Sequence, residues 1–338
     1  MIVRMTPMQK DATHPAVSLV LLSYNQEALI ADAAHACLQQ DCPPIEIVFS
    51  DDASTDRTFS ILQEIANRYT GPHRVRVRKN EANLGIGAHY NEIFRFSTGD
   101  LIVTAAGDDL SAPDRIRRIV EAWEQAKRVP DLISSHFLEI DPMGRPGAYR
   151  ETADLAQESL ASWSQRHPFV VGATHAFTRR LVDKYGLLGP GVWYEDPIFL
   201  LRALMSGGGI TVSEPLVRRR IGGSSSEPWF ASGEVLVHWY GTQSRRILAG
   251  IRQMIADATL SGHQEVVAST LGDQMRREQY IGTMTSQTGL QGRIAALTCF
   301  DDLPLGWRVR KLLTFSAPRT AASLKRVKNA IRGNARPQ

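Results

Sequence analysis

The chain has 338 residues, 43% of them hydrophobic and 22% charged, with a formal net charge of +4. That is an ordinary soluble composition, long enough for a sizeable core in one large domain or in one domain with an appendage. No apolar run approaches the roughly 20 residues that cross a bilayer, and the start, MIVRMTPMQKDATHPA, lacks the apolar stretch of a secretory signal, so a cytoplasmic location is expected.

From Val17 onward, strand-like runs alternate with helical ones. VSLVLLSYN reads as a buried strand, QEALIADAAHACLQQD has helical apolar spacing, IEIVFSDDAS is a second strand and DRTFSILQEIANRY a second helix. The short alternating HRVRVRKN, the helical GAHYNEIFRFS and the strand DLIVTAA follow. Strands alternating with helices imply right-handed crossovers and a parallel sheet, hence an α/β fold. RIRRIVEAWEQAKR is an amphipathic helix ended by Pro130. In 131–168, DPMGRPG reads as a loop or short hairpin and DLAQESLASWSQRHP as a helix. FVVGATHAFTRRLVDKYG gives a strand then a helix, and GPGVWYEDPIFLLRALMSGGG a glycine-rich approach to a helix. EPLVRRRIGGSSSEP closes the alternating region with a strand and a loop, GGSSSE, suited to a mobile lid. From about Trp229 strand signals vanish. The chain therefore divides into an N-terminal extension (1–16), an α/β domain (17–226), a helical region (227–303) and a basic tail (304–338).

In parallel sheets of this kind ligands bind outside the carboxyl ends of the strands. The residues just past those ends are Ser23, Tyr24 and Asn25, then Asp51 and Asp52, then Gly107, Asp108 and Asp109. One acidic strand end is unremarkable, whereas three polar clusters on one rim favour a site over solvated loops. Cys37, Cys42 and Cys299 have no metal-ligand spacing and read as reduced, structural residues.

In chain order, VSLVLLSYNQ, VFSDDASTDRT, NEANLGIGAHYNE, STGDLIVTAAGDD and WYEDPIFLLRAL resemble the family 2 glycosyltransferases over residues 17 to about 225, leaving the helical third uncovered. The resemblance implies the A-type glycosyltransferase (GT-A) fold, a Rossmann-like, mixed but mainly parallel sheet flanked by helices. It also implies transfer of a sugar, with inversion, from a nucleotide-diphosphate donor, a UDP-sugar being expected.

Such a transfer needs a place for the base, a cation for the departing diphosphate and a general base for the acceptor hydroxyl. Tyr24 can offer an aromatic face to a nucleobase and Asp52 can accept from a ring N–H, with Ser23, Asn25 and Asp51 beside them. The bland alternative makes Asp52 a cap for the helix through Phe59, a task that Asp51, Ser54 or Asp56 can share. By resemblance, Asn83, Gly85, Gly87 and Asn91 lie along the nucleotide-sugar; a purely structural turn explains them nearly as well. Asp108 and Asp109 suit a hard divalent cation, Mg or Mn, that bridges phosphate oxygens, and Asp108 is counted with the donor as well. The family's usual Asp-x-Asp would place its first acid at Ala106. Glu195 and Asp196 precede Pro197. Asp196 is a natural N-cap for PIFLLRALMSG, and in the family this acidic pair supplies the general base, with Asp196 first and Glu195 either the reserve base or an acceptor-binding residue. In RRRIGGSSS, Ile221 stands where the family has a histidine, and Arg219 and Arg220 are candidates for phosphate contacts, at most two of Arg218, Arg219 and Arg220 facing the site. His175 follows a strand and reads as a packed or acceptor-side residue.

Residues 304–338 carry nine Lys and Arg and no acid, which leaves a net −5 for the rest of the chain. With Trp307, Val309, Leu312, Leu313 and Phe315 among them, this tail suits an anionic membrane surface, and a helix packed on its own domain is nearly as good a reading. Nucleic acid is disfavoured, since no recognition pattern accompanies the charge. The expected partners are the donor and a glycan or lipid-linked acceptor in surface polysaccharide synthesis, with peripheral attachment to the inner face of the plasma membrane and a homo-oligomer left open. The competing reading is a binding or scaffold protein that has lost activity, motivated by Ala106 and Ile221. A nucleotidyltransferase would show a glycine-rich, basic phosphate loop, which SYNQEALI lacks.

Overall fold

The computed structural model describes residues 15–222, 230–287 and 289–331. The described residues form two compact units. One holds residues up to Leu188 and those from Glu195 to 222, and the other holds Gly189–Tyr194 and the residues from 230 on. All of the GGSSSE loop after Gly222, most of the 1–16 extension and the last seven residues lie outside the described residues.

The first unit is built on a nine-stranded sheet: β1 (Val17–Ser23), β2 (Glu46–Asp51), β3 (Arg74–Lys79), β4 (Leu101–Ala106), β5 (Leu110–Ser111), β6 (Leu132–Ile140), β7 (Pro146–Arg150), β8 (Ala176–Thr178) and β9 (Gly209–Arg220). Their order is β3-β2-β1-β4-β8-β6-β9-β5, with β7 paired to β6. The first four strands are parallel, as is the β6–β9 pair, while β8, β5 and β7 run antiparallel to their neighbours. β1 is buried along its whole length, which is why its centre reads as a continuous Leu-Val-Leu-Leu run rather than an alternating one.

Helices α1 (Ile30–Leu38), α2 (Thr58–Arg68) and α4 (Arg115–Gln125) cover one face, where Ile30, Leu62, Ile116, Ile119 and Trp123 share a core with Leu19, Leu21, Ile47, Phe49 and Val103. Each fully buried aliphatic there contributes roughly 1.5–3 kcal/mol. The remaining helices of this unit are α3 (Ile86–Phe96), the short α5 (Leu160–Gln165) and α6 (Arg179–Tyr185), and α7 (Asp196–Leu204), and an aromatic cluster joins β8 to α3 and α7. In it the Phe177 and Phe199 rings stack at 4.5 Å and Tyr90 and Phe94 lean on both.

Three local expectations change. Residues 132–140, which carry no legible period, form a nine-residue strand lying between β8 and β9. Its buried Ser134 and Ser135 hide the pattern, and the Ser134 hydroxyl is satisfied by Thr174 Oγ1 at 3.0 Å. α4 stops at Gln125, before Pro130, because Lys127 and Arg128 turn left-handed at φ 56° and 59°. FVVGATHAF does not begin with a strand: residues 172–174 form a 3-10 turn, and His175 precedes β8 instead of following a strand.

The second unit contains α8 (Gly233–Leu260), α9 (Gln264–Ser286), α10 (Leu290–Cys299), α11 (Leu305–Ser316) and α12 (Pro318–Ile331). Its core includes Phe230, Leu236, Tyr280, Met284, Phe315 and Ala322, with Trp239, Trp307 and Leu312 packed against it. Much of the predicted basic tail therefore folds into this core. The segment Gly189–Tyr194 belongs here too: Gly189 N donates to Gln253 at 2.8 Å and Trp193 lies under Arg246 at 3.4 Å.

Candidate active site

The loops after β1 and β2 are locked together by main-chain to side-chain bonds. Asn25, left-handed at φ 49°, donates its main-chain N–H to Ser54 Oγ at 2.9 Å, and its side-chain Oδ1 accepts from Thr55 N at 2.9 Å. Asp51 accepts from Ser54 N and Oγ at 2.9 and 2.5 Å, and the Ser23 hydroxyl lies 3.4 Å from both Ser50 O and Asp51 Oδ2. Asp52 caps no helix: it accepts from Asn80 Nδ2, Leu84 N and Gly85 N at 2.7, 2.9 and 3.0 Å. Asp56 instead bonds the Thr58 N–H at the start of α2, at 2.9 Å. Asp52 thus fixes the segment 80–85 beside the β2 end, helped by Asn83, whose side-chain oxygen accepts from Gly85 N at 3.2 Å. Gly85 precedes α3 at φ 75°, a conformation suited to glycine. Tyr24 stands 45% exposed at this rim. Asn91 is turned to structure, its amide bracketing the Leu188 backbone with two bonds of 2.8 Å.

β4 runs into Gly107, where a Cβ would lie 2.3 Å from Gln26 Oε1 and 2.9 Å from Ile30 Cδ1, and the chain then turns through Asp108 and Asp109. Asp109 is 7% exposed; burial and the neighbouring Asp108 push its carboxyl up to about 7. Arg220, buried at the end of β9, donates its N–H to Asp109 Oδ1 at 2.8 Å and its Nε to Asp108 O at 3.1 Å. Its Nη1 bonds the Asp141 and Pro142 carbonyls, so its guanidinium clamps main chain. Arg219 is half-buried over Phe137, while Arg218 and Ile221 are exposed.

Among the described residues no group of three or more His, Cys, Asp or Glu could hold a metal ion. The donor chemistry nevertheless fits one arrangement. Mg is commonly bound by one or two carboxylates that share it with substrate phosphates, and the adjacent Asp108 and Asp109 supply that many hard oxygen donors.

The second acid pair opens α7. The helix begins at Asp196 with Glu195 before it and no side-chain cap. Asp196 Oδ2 instead reaches the N–H of Gly172 at 2.8 Å, outside its own helix. A Cβ at Gly172 would lie 2.2 Å from Asp196 Oδ1 and 2.8 Å from Glu195 Oε1, so only glycine fits against both carboxylates. Burial, then the charge and hydrogen bond of Asp196, hold Glu195 well above the usual carboxylate range. The Tyr90 hydroxyl hydrogen-bonds Glu195, and burial raises that phenol too.

Thr104 and Arg115 tie the two acidic corners together. Thr104 Oγ1 donates to Gly172 O or His175 O, 3.1 and 3.2 Å away. Arg115, fully buried, donates to Thr104 O and Ala173 O, both at 2.8 Å, and to Ser111 Oγ at 3.0 Å. Burial lowers it to about 10, which leaves it a cation at neutral pH. His175 is buried with Nε2 unpartnered, and burial lowers its basicity.

Sequence reasoning missed Gly172, Tyr90, Thr104 and Arg115. A glycine in VVGATH, a tyrosine at helical spacing and an arginine opening a helix carry no linear signal of a site. The helical unit holds a separate groove of about 460 Å³, lined by Trp239, Tyr240, Trp307 and Lys311 among others and by none of the predicted site residues.

Residues 18–186, half of the chain, match the family model described as Glycosyl transferase family 2. Among curated relatives, the succinoglycan biosynthesis protein ExoO of Rhizobium meliloti (strain 1021) is 24% identical over 353 residues, covering 95% of each chain. Two other relatives are matched over only 47% and 45% of their own length, so the chain spans about half of them. Among solved structures, S. aureus TarS 1-349 in complex with UDP-GlcNAc superimposes with a TM-score of 0.55 at 17% identity, covering 93% of this chain and 92% of that one. The mannosyltransferase PcManGT of Pyrobaculum calidifontis, in complex with GDP-Man and Mn2+, gives 0.52 at 18% identity over 93% and 87% of the two chains.

Proposed function

Because this chain belongs to glycosyl transferase family 2, we propose that it moves a sugar, with inversion, from a nucleotide-diphosphate donor to a hydroxyl of a glycan or lipid-linked acceptor in surface polysaccharide synthesis. UDP is the expected nucleotide; the neighbours with UDP-GlcNAc and GDP-Man support the donor class. Polysaccharide synthesis draws on the likeness to ExoO.

The observation that carries the reading is the anchoring of Asp196 on the Gly172 N–H, with the carboxylate held off its own helix and a glycine leaving room beside it. A general base must be fixed within reach of the proton it takes, and this is such a fixture. In the proposal Asp196 takes the acceptor hydroxyl's proton as the oxygen attacks the anomeric carbon. Burial and Asp196 hold Glu195 well above the usual carboxylate range, and in the proposal Glu195 holds the acceptor. Tyr24 stacks on the base, and Ser23, Asn25, Asp51, Asp52, Asn83 and Gly85 shape the nucleoside pocket. Asp108 and Asp109 would hold Mg or Mn, which when bound neutralises the diphosphate leaving group; Arg219 and Arg220 add positive charge nearby. Peripheral attachment at the inner face of the plasma membrane goes with a lipid-linked acceptor.

The test is release of nucleoside diphosphate from UDP-, GDP- and TDP-sugars with Mn or Mg. Turnover with one donor is expected, lost with EDTA and in Asp108→Ala. Asp196→Asn should cost about 10²–10⁴-fold in rate. Gly172→Ala, which drives a methyl into both carboxylates, should cost at least about ten-fold. Full activity in Asp196→Asn would remove the base assignment, and metal-dependent UDP binding without turnover would favour the binding-protein reading.

A further inference from the structure

We propose that α11 and α12 seat the protein on an anionic membrane through their outward faces, Leu305, Val309 and Leu313 on α11 with Leu324 and Val327 on α12. This deepens the peripheral attachment above by naming the surface and its partner, and it does not depend on sugar transfer.

The basic tail has apolar residues of two kinds, which only the structure separates. Trp307, Leu312 and Phe315 point into the helical unit's own core, so they are not the ones that meet a bilayer. Leu305, Val309 and Leu313 repeat every four residues along α11 and stand 62%, 38% and 65% exposed; Leu324 and Val327 are likewise exposed on α12. Four-residue spacing places the α11 trio on one stripe of the helix. Arg310, exposed, adjoins that stripe three residues before Leu313, and on α12 the exposed Arg319, Ser323 and Val327 follow at the same spacing.

Charge decides the occupant. Residues 305–331 carry seven Lys and Arg and no acid. Several of these cations are anchored locally: Arg326 donates to Phe230 O and Ala231 O, Arg308 donates to Leu297 O, and Lys311 and Lys325 lie over Tyr240 and Phe230. A second copy docking on this surface would bring its own exposed cations, Arg310 and Arg319, against the same pair. An anionic lipid surface instead supplies opposite charge together with an apolar layer for isolated aliphatic side chains. No helix among the described residues is long and apolar enough to cross a membrane, so the contact is a surface one.

The experiment is flotation of the full-length chain with vesicles of phosphatidylcholine alone or mixed equally with phosphatidylglycerol. The protein should float with the anionic vesicles and not with phosphatidylcholine, and 0.5 M salt should release it. The triple variant L305S/V309S/L313S, which keeps every charge, should lower the bound fraction by about five-fold or more at unchanged circular dichroism. M143S, a change at an exposed methionine on the β6–β7 turn, should leave it unchanged. Should the triple variant misfold, R310Q/R319Q at two exposed positions takes its place with the same expectation. The proposal fails if the wild type does not float, binds both vesicles equally, or binds as well with either variant. It also fails if light scattering shows a dimer that the triple variant abolishes, since a second copy would then be the occupant.

Discussion

Gly172 contributes to the candidate site by what it lacks: with no Cβ it brings a main-chain N–H to Asp196 and leaves space for two carboxylates. Asp108, Asp109, Glu195 and Asp196 were legible because charged residues at strand and helix ends stand out against apolar runs. Gly172, Tyr90 and Arg115 were not, because a residue's meaning there depends on a partner at least twenty positions away for Gly172 and over a hundred for Tyr90. The cap assigned to Asp196 illustrates the limit: local grammar made it an N-cap, and a distant N–H captured it instead. Asp109 allows a pH test. Its carboxyl is raised to about 7 in the fold, against about 3.9 for a free aspartate, so the unfolded chain releases this proton first. Its contribution to stability is therefore full below pH 4 and is lost as pH rises toward 7, by about 1.4 kcal/mol per pH unit. Asp109→Asn should flatten this part of the urea-midpoint profile and raise the midpoint at pH 7.5 in metal-free protein. An unchanged slope would show that Asp109 is not the titrating group.

At the scale of elements, the alternation of strands and helices through β4 was readable because β1, β2 and β4 are buried along nearly their whole length and half-buried β3 alternates Arg with Val. β6 was not, since its buried serines break the pattern: the Ser135 hydroxyl donates to the adjacent His136 O at 3.0 Å, and the Ser134 hydroxyl needs a partner forty residues away. Ser134 finds Thr174, which in turn donates to Val171 O at 2.8 Å, so this pair pins β6 to the turn that carries Gly172. Thr174→Val should leave Ser134 without its partner and cost about 1–3 kcal/mol in denaturant unfolding. Ser134→Ala alone should cost less, and the double variant should recover part of the loss. Strictly additive costs would mean that the two hydroxyls do not act as a pair.

For the whole molecule, each unit has its own apolar core, one spanning the sheet with α1, α2 and α4, the other the helical bundle. The tail that composition set apart as a basic appendage supplies Phe315 and Ala322 to the second core, so its removal would expose the bundle interior. Phe315→Ala should therefore destabilise the helical unit by about 3–5 kcal/mol. Amide exchange should show protection falling in α8–α12 and holding in β1, β2 and β4; an even loss across the chain would contradict two separate cores. The sequence by itself determined the α/β class, the acids at the strand ends and the helical character of the last third, because hydrophobic period and end-of-element polarity are local properties. Tertiary structure alone decided which apolar residues of the tail face inward, where β6 enters the sheet, and that a glycine near residue 170 anchors an aspartate near 196. Those outcomes depend on atoms distant in sequence competing for the same buried space and the same hydrogen bonds.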